Sequence, residues 1–284
     1  MNSVVWTGKQ FLYVENTANT VWAAPAAGLP LTQFATMPKL VEETRCVLSP
    51  GTHGFAPGMI FCASPDDKIY KISADGRSVT VFATLPVAYP PASDGALTVD
   101  DVGRFGYRLV AATGRSGAGQ PPGGVVFAIG ASGAVTRIGS YSGPGGADEV
   151  AIAPAGFGSA AGEALLAADP GAGGGALVAM DASGKTRNIA TFTDGPNPVV
   201  PIPKAAASSG KPAPGLYLTD DSKQNVYFAP ASQLAPYAGD VLVGTETKAQ
   251  FWIVEPHGRG FVKVAVRHNL RGGKYSLEGA TFVP

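Results

Sequence analysis

The stretch GGADEVAIAPAGFG, Gly145–Gly158, starts with two adjacent carboxylates, Asp148 and Glu149, runs into apolar residues and stops at a Pro/Gly turn. Two negative charges are an odd beginning for a buried strand, and the oddity recurs along the chain. DEVAIAP (Asp148–Pro154) has counterparts in TRCVLSP (Thr44–Pro50), DGALTVD (Asp94–Asp100), NPVVPIP (Asn197–Pro203) and EGATFVP (Glu278–Pro284). The first residues of four of these runs lie at intervals of 50, 54 and 49, from Thr44 to Asp94 to Asp148 to Asn197. Counting on from Glu278 through the chain end to Thr44 closes another interval of 50.

Between these runs lie further short apolar segments. GMIFCAS, DKIYKIS and SVTVFATLP follow the first, and YRLVAATG, GVVFAIG and AVTRIGSY follow the second. The turns ADGRS, ASGAV and ASGKT place Gly where a hairpin needs positive φ. No segment keeps a helical period over three turns. Four strands in about 50 residues is the size of a propeller blade. The sequence therefore predicts an all-β fold, a β-propeller of six blades with five as the alternative, forming one domain over residues 1–284. The C-terminal SLEGATFVP is expected to join the N-terminal blade as its inner strand, which would close the ring without an unpaired edge. The stretch from Asn197 to Glu278 is too long for one blade and short for two, so two strands around ASQLAPYAG are expected to be irregular.

Composition narrows the function. The 284 residues carry 21 basic and 21 acidic side chains, a formal net charge of zero. No basic surplus invites nucleic acid or an anionic membrane, and no apolar run reaches transmembrane length. With 38 Gly, 24 Pro and only 15% charged residues, the chain is turn-rich and charge-poor. Its expected partner is a small molecule and its expected state a monomer. The N-terminus shows no signal pattern. The compartment stays open, with a secreted or periplasmic location favoured over the cytoplasm. Cys46 and Cys62 read as two buried free thiols, with a disulfide open if their runs pair in register.

In a propeller, the start of each inner strand and the end of the next strand outward share one face. Asp94, Asp148, Asn197 and Glu278 occupy the first position, with Glu43 beside Thr44. Glu15, Asn16, Asp66, Asp169, Asp220, Asp221 and Glu246 occupy the second. Carboxylate and amide oxygens gathered at one mouth suit a hard cation, Ca²⁺ first and Mg²⁺ or Mn²⁺ next. Asp94, Asp148, Asn197 and Glu278 are the expected ligands of one such ion. Strand-capping is the competing role for these residues. Glu149, one residue on from Asp148, is expected to point the other way, towards a neighbouring blade. His268 lies in a loop at the proposed mouth and could relay a proton, while Arg115, Arg271 and Lys274 could clamp an anion and Tyr89 and Tyr141 line a pocket. GRSGAG at Gly114–Gly119 lacks the strand–helix context of a phosphate loop, so nucleotide binding is rejected, and no GxSxG elbow exists.

With these residues, LEGATF, SDGAL and PNPVV, the chain resembles the senescence marker protein/gluconolactonase superfamily of six-bladed propellers, within the wider NHL and TolB-like architecture. The resemblance implies hydrolysis of a lactone or ester with one divalent cation, commonly calcium. Glu278, Asn197 and one of Asp94 or Asp148 would bind it, and the other Asp, or Asp220, would be the base. After Glu278–Gly279 the chain has Ala-Thr rather than the Pro-x-Trp usual in gluconolactonases. A metal-assisted lyase of the streptogramin-lyase type, with His268 as base, and a non-catalytic NHL-like propeller are the alternatives.

Overall fold

The computed structural model describes residues 2–15, 18–38, 44–86, 95–114, 123–170, 173–204, 212–266 and 275–284. The described residues form six small antiparallel sheets. Their inner strands are Ser3–Trp6, Arg45–Leu48, Gly95–Val99, Gly146–Ile152, Pro196–Pro201 and Leu277–Val283. Each packs beside the next and the last packs beside the first, so the chain is a six-bladed β-propeller. Blades one to four each use four consecutive strands. Their middle strands are buried on both faces, as in Ala164–Asp169, because each sheet is covered by the blades on either side. The outermost strands, such as Val79–Thr84, are mostly exposed or half-buried.

The last two blades interlock. Pro196–Pro201 pairs with Val241–Thr245, skipping Gly215–Asp220 and Asn225–Pro230. Gly215–Asp220 pairs instead with the C-terminal Leu277–Val283 on one side and with Asn225–Pro230 on the other, making a three-stranded sixth blade. The ring thus closes where expected, with the C-terminal strand beside the N-terminal blade, and the Trp6 N–H donates to Thr281 Oγ1 at 3.3 Å. The finer expectation is corrected: the C-terminal strand is the inner strand of its own blade, since Ser3–Trp6 already fills that place in the first. Ala231–Tyr237, within ASQLAPYAG, folds as a helical turn followed by a 3₁₀ turn.

One apolar cluster fills each blade interface. The closing one is aromatic: Phe11 lies 4.8 Å from Trp6 and 4.7 Å from Tyr217, centroid to centroid. Gly76, Gly133 and Gly184, in the three quoted hairpin turns, all take positive φ, +75°, +83° and +84°. A Cβ on each would lie within 2.1–2.5 Å of a carbonyl oxygen in the outer strand of the preceding blade, on Phe34, Phe82 and Ile138 in turn. Glycine is therefore demanded twice at each turn, by φ and by the neighbouring blade.

Cys46 and Cys62 stand directly opposite each other on adjacent strands of blade two and form a disulfide, Cα–Cα 4.0 Å. Register brings them together, and the expectation of free thiols is corrected. No described helix is long and apolar enough to cross a membrane.

Candidate functional site

Among the described residues, the acidic starts of the inner strands divide into two groups around a side chain that the sequence reading passed over. Arg45 opens the inner strand of blade two and is 3% exposed. Its guanidinium donates to Glu278 Oε2 at 2.8 Å, to the Asp148 carbonyl at 3.4 Å and to the Asn2 carbonyl. It therefore ties blades one, two, four and six together at the axis. The signal was present as a lone arginine at the head of the apolar run TRCVLSP.

Glu278 belongs to this group. Besides Arg45, its Oε2 accepts from Asn197 Nδ2 at 3.2 Å, and its Oε1 accepts from Ser276 Oγ at 2.7 Å. Asn197 is 1% exposed, and its Oδ1 has no hydrogen-bond partner. The positive charge facing Glu278 is thus supplied by the chain. Asp220, nominated as a base, is fully buried and accepts four hydrogen bonds. They come from Ser222 Oγ, Lys223 N, Ser276 N and Tyr227 Oη. Its carboxylate braces a turn and the approach to the last inner strand.

The second group contains Asp148. One oxygen from each of Asp148, Asp169 and Glu246 lies within 4.8 Å of the others. Asp148 is the third residue of the inner strand of blade four, Asp169 ends the next strand of that blade, and Glu246 follows the second strand of blade five. Glycine makes room for this: a Cβ at Gly195 would lie 1.5 Å from Asp169 Oδ2. Asp194 accepts from Thr247 N, Thr247 Oγ1 and Lys248 N, and Gly195 O accepts from Glu246 N, so the Glu246 turn is pinned to the loop entering blade five. A pocket of about 270 Å³ opens beside Asp169 and Glu246. Burial, followed by the charges of Glu278 and Asp169, pushes the Glu246 carboxyl up to about 8. Three carboxylate oxygens at this spacing match the donor set of a hard divalent cation, whose ligands lie about 2.3–2.6 Å from the ion for Ca²⁺.

Glu149 departs from simple alternation. The register slips between Ala147 and Glu149, leaving Asp148 as the extra residue of a bulge. Both acids consequently stay at the axis. The Val199 N–H of blade five donates to Glu149 Oε2, in line with the expected lean towards a neighbouring blade. The same side chain also lines a cavity of about 730 Å³ inside the channel. Desolvation, with a smaller push from Glu278, raises the Glu149 carboxyl to about 7, against the pull of Arg45 and the Val199 N–H.

Asp94, His268, Glu43, Asn16, Tyr89, Arg115, Arg271 and Lys274 lie outside the described residues. Tyr141 is buried, and its hydroxyl donates to the Thr113 carbonyl at 3.1 Å, so it is core rather than pocket.

No family model and no curated protein matches the chain. Solved structures do. The PQQ-bound aldose sugar dehydrogenase from Streptomyces coelicolor aligns over 93% of this chain and 80% of its own, with a TM-score of 0.58 and 12% identity. A candidate 6-phosphogluconolactonase from Bacteroides uniformis aligns over 66% of this chain with a TM-score of 0.45 and 14% identity, and this chain spans about half of it, 52%. At these identities the likeness is one of propeller fold.

Proposed function

We propose that this propeller hydrolyses a small lactone or ester with the help of one divalent cation, Ca²⁺ before Mg²⁺ or Mn²⁺. The supporting observation is the convergence of Asp148, Asp169 and Glu246 to within 4.8 Å, beside a small pocket between the loops of blades four and five. The set keeps Asp148 from the ligand ring expected from the sequence, while Glu278 takes Arg45 and the Asn197 Nδ2 group. Bound there, a divalent cation would polarise the substrate carbonyl and lower the pKa of water. The chain's own residues do the rest. Asp148 and Asp169, both buried, fix the position of the charge. Glu246 stands at the pocket wall, where its carboxylate offers the third oxygen to the ion. Asp94 and His268 stay in the proposal on their sequence positions alone.

A second reading has its own support. The Arg45–Glu278 pair and the four donors on Asp220 are what acidic strand starts look like when they stitch blades together in a non-catalytic propeller. Purification without chelator, elemental analysis and calcium calorimetry separate the two. The hydrolase reading expects one tightly held cation per chain, lost in Asp169→Asn and Glu246→Gln, and turnover in a panel of lactones and esters. No cation uptake and no turnover by the folded protein would reject it in favour of the scaffold.

A further inference from the structure

The larger cavity lies at the other end of the channel from the carboxylate cluster. All six inner strands line it, those of blades one and two with their first residues, Ser3 and Val4, and Arg45 to Val47, the other four with their middle and C-terminal parts. Its walls are apolar, with Val47, Leu97, Val99, Ile152, Val200 and Phe282 among them. Arg45 and Glu149 stand at its inner end. At about 730 Å³ it falls inside the roughly 300–1,000 Å³ span of small-ligand sites.

The charges at that inner end do not cancel. Arg45 pairs with Glu278 at 2.8 Å, both side chains being 4% exposed. Glu149 is the other charged group lining that end, and its Oε2 accepts from the Val199 N–H; with Glu149 ionised, Arg45, Glu278 and Glu149 together carry one negative charge in excess. At the rim, Asp101 and Lys204 are of opposite sign. A monocation with an apolar body would complement this layout, since the low local dielectric strengthens its pairing with a carboxylate.

We propose that the channel is a binding site for a small organic amine, its apolar body against the valine-rich wall and its ammonium group on the Glu149 carboxylate. The site is independent of the cation cluster and of the hydrolase reading, because it lies beyond Arg45 and opens on the opposite face.

Calorimetry with phenylbutylamine, phenylbutanol and phenylbutyrate tests this on the whole chain. The amine is expected to bind as one equivalent, at least about tenfold tighter than the alcohol, as a charge-assisted contact requires. The carboxylate should bind weakest. Glu149→Gln keeps an acceptor for the Val199 N–H but removes the negative charge, so it should erase the preference for the amine. Val47→Trp fills the wall from the side and should abolish binding of both amine and alcohol while calcium uptake is unchanged. Equal affinity for amine and alcohol, or amine binding that survives in folded Glu149→Gln or Val47→Trp, would overturn the proposal.

Discussion

Arg45 and Glu278 meet across the channel at 2.8 Å although 233 residues separate them. The pair joins the first long apolar run of blade two to the last strand of the chain. Removing one partner of a buried pair leaves an uncompensated charge, so Arg45→Met is expected to cost about 3–5 kcal/mol in urea unfolding. The double variant R45M/E278M should recover part of that loss. A cost below about 1 kcal/mol, typical of exposed pairs, would show that the bridge does not form.

Stability should fall as pH rises. Glu246 and Glu149 have folded-state pKa values of about 8 and about 7, above the ordinary carboxylate value of 4.5. Between the ordinary value and these raised values the folded state binds more protons than the unfolded one, so each unit of pH removes stability. Their contribution is fully present below the ordinary carboxylate pKa and gone once pH passes about 8. Thermal melts in chelator should shift down steadily from acidic to mildly alkaline buffer, and Glu246→Gln should flatten the trend. If calcium binds the cluster, its addition should flatten the trend too. A melting temperature that rises across this window contradicts the assignment.

Gly133 takes φ +83°, and a Cβ there would meet the Phe82 carbonyl oxygen at 2.4 Å. Gly133→Ala pays the left-handed penalty of about 1–2 kcal/mol and displaces the hairpin from the preceding blade as well. Chemical denaturation should register a loss at or above that figure. Gly8, with φ +85° and open space around it, should lose only the conformational part on substitution by Ala.

The Cys46–Cys62 disulfide spans 16 residues. A loop of that size is worth about 3 kcal/mol in the chain-entropy account. The double variant C46A/C62A should lose roughly that much stability while keeping the propeller's circular dichroism. Mass spectrometry of the unreduced protein should find no free thiol.

How much of this was legible beforehand differs from element to element. The inner strands Gly95–Val99, Gly146–Ile152 and Leu277–Val283 start within two residues of Asp94, Asp148 and Glu278, and the turn glycines at 76, 133 and 184 have the expected φ. These features depend on a few neighbouring residues: an apolar run bounded by turn formers, and a φ that glycine alone adopts cheaply. Asp148, Asp169 and Glu246 were each legible as residues of one face for the same reason, since strand direction alternates within a blade.

Their grouping was not legible. The sequence by itself determined the repeat, the strand edges and the face on which the acids lie. Tertiary structure alone decided that Leu277–Val283 pairs with Gly215–Asp220, that Cys46 faces Cys62, and that a bulge keeps Asp148 and Glu149 both at the axis. It also decided that Arg45 takes Glu278, which leaves Asp148, Asp169 and Glu246 to gather elsewhere. Strand partners are chosen by packing summed over whole blades. The proton and cation affinity of a carboxylate is set by charges and desolvation that arrive from other strands distant in sequence, and no local stretch of sequence contains them.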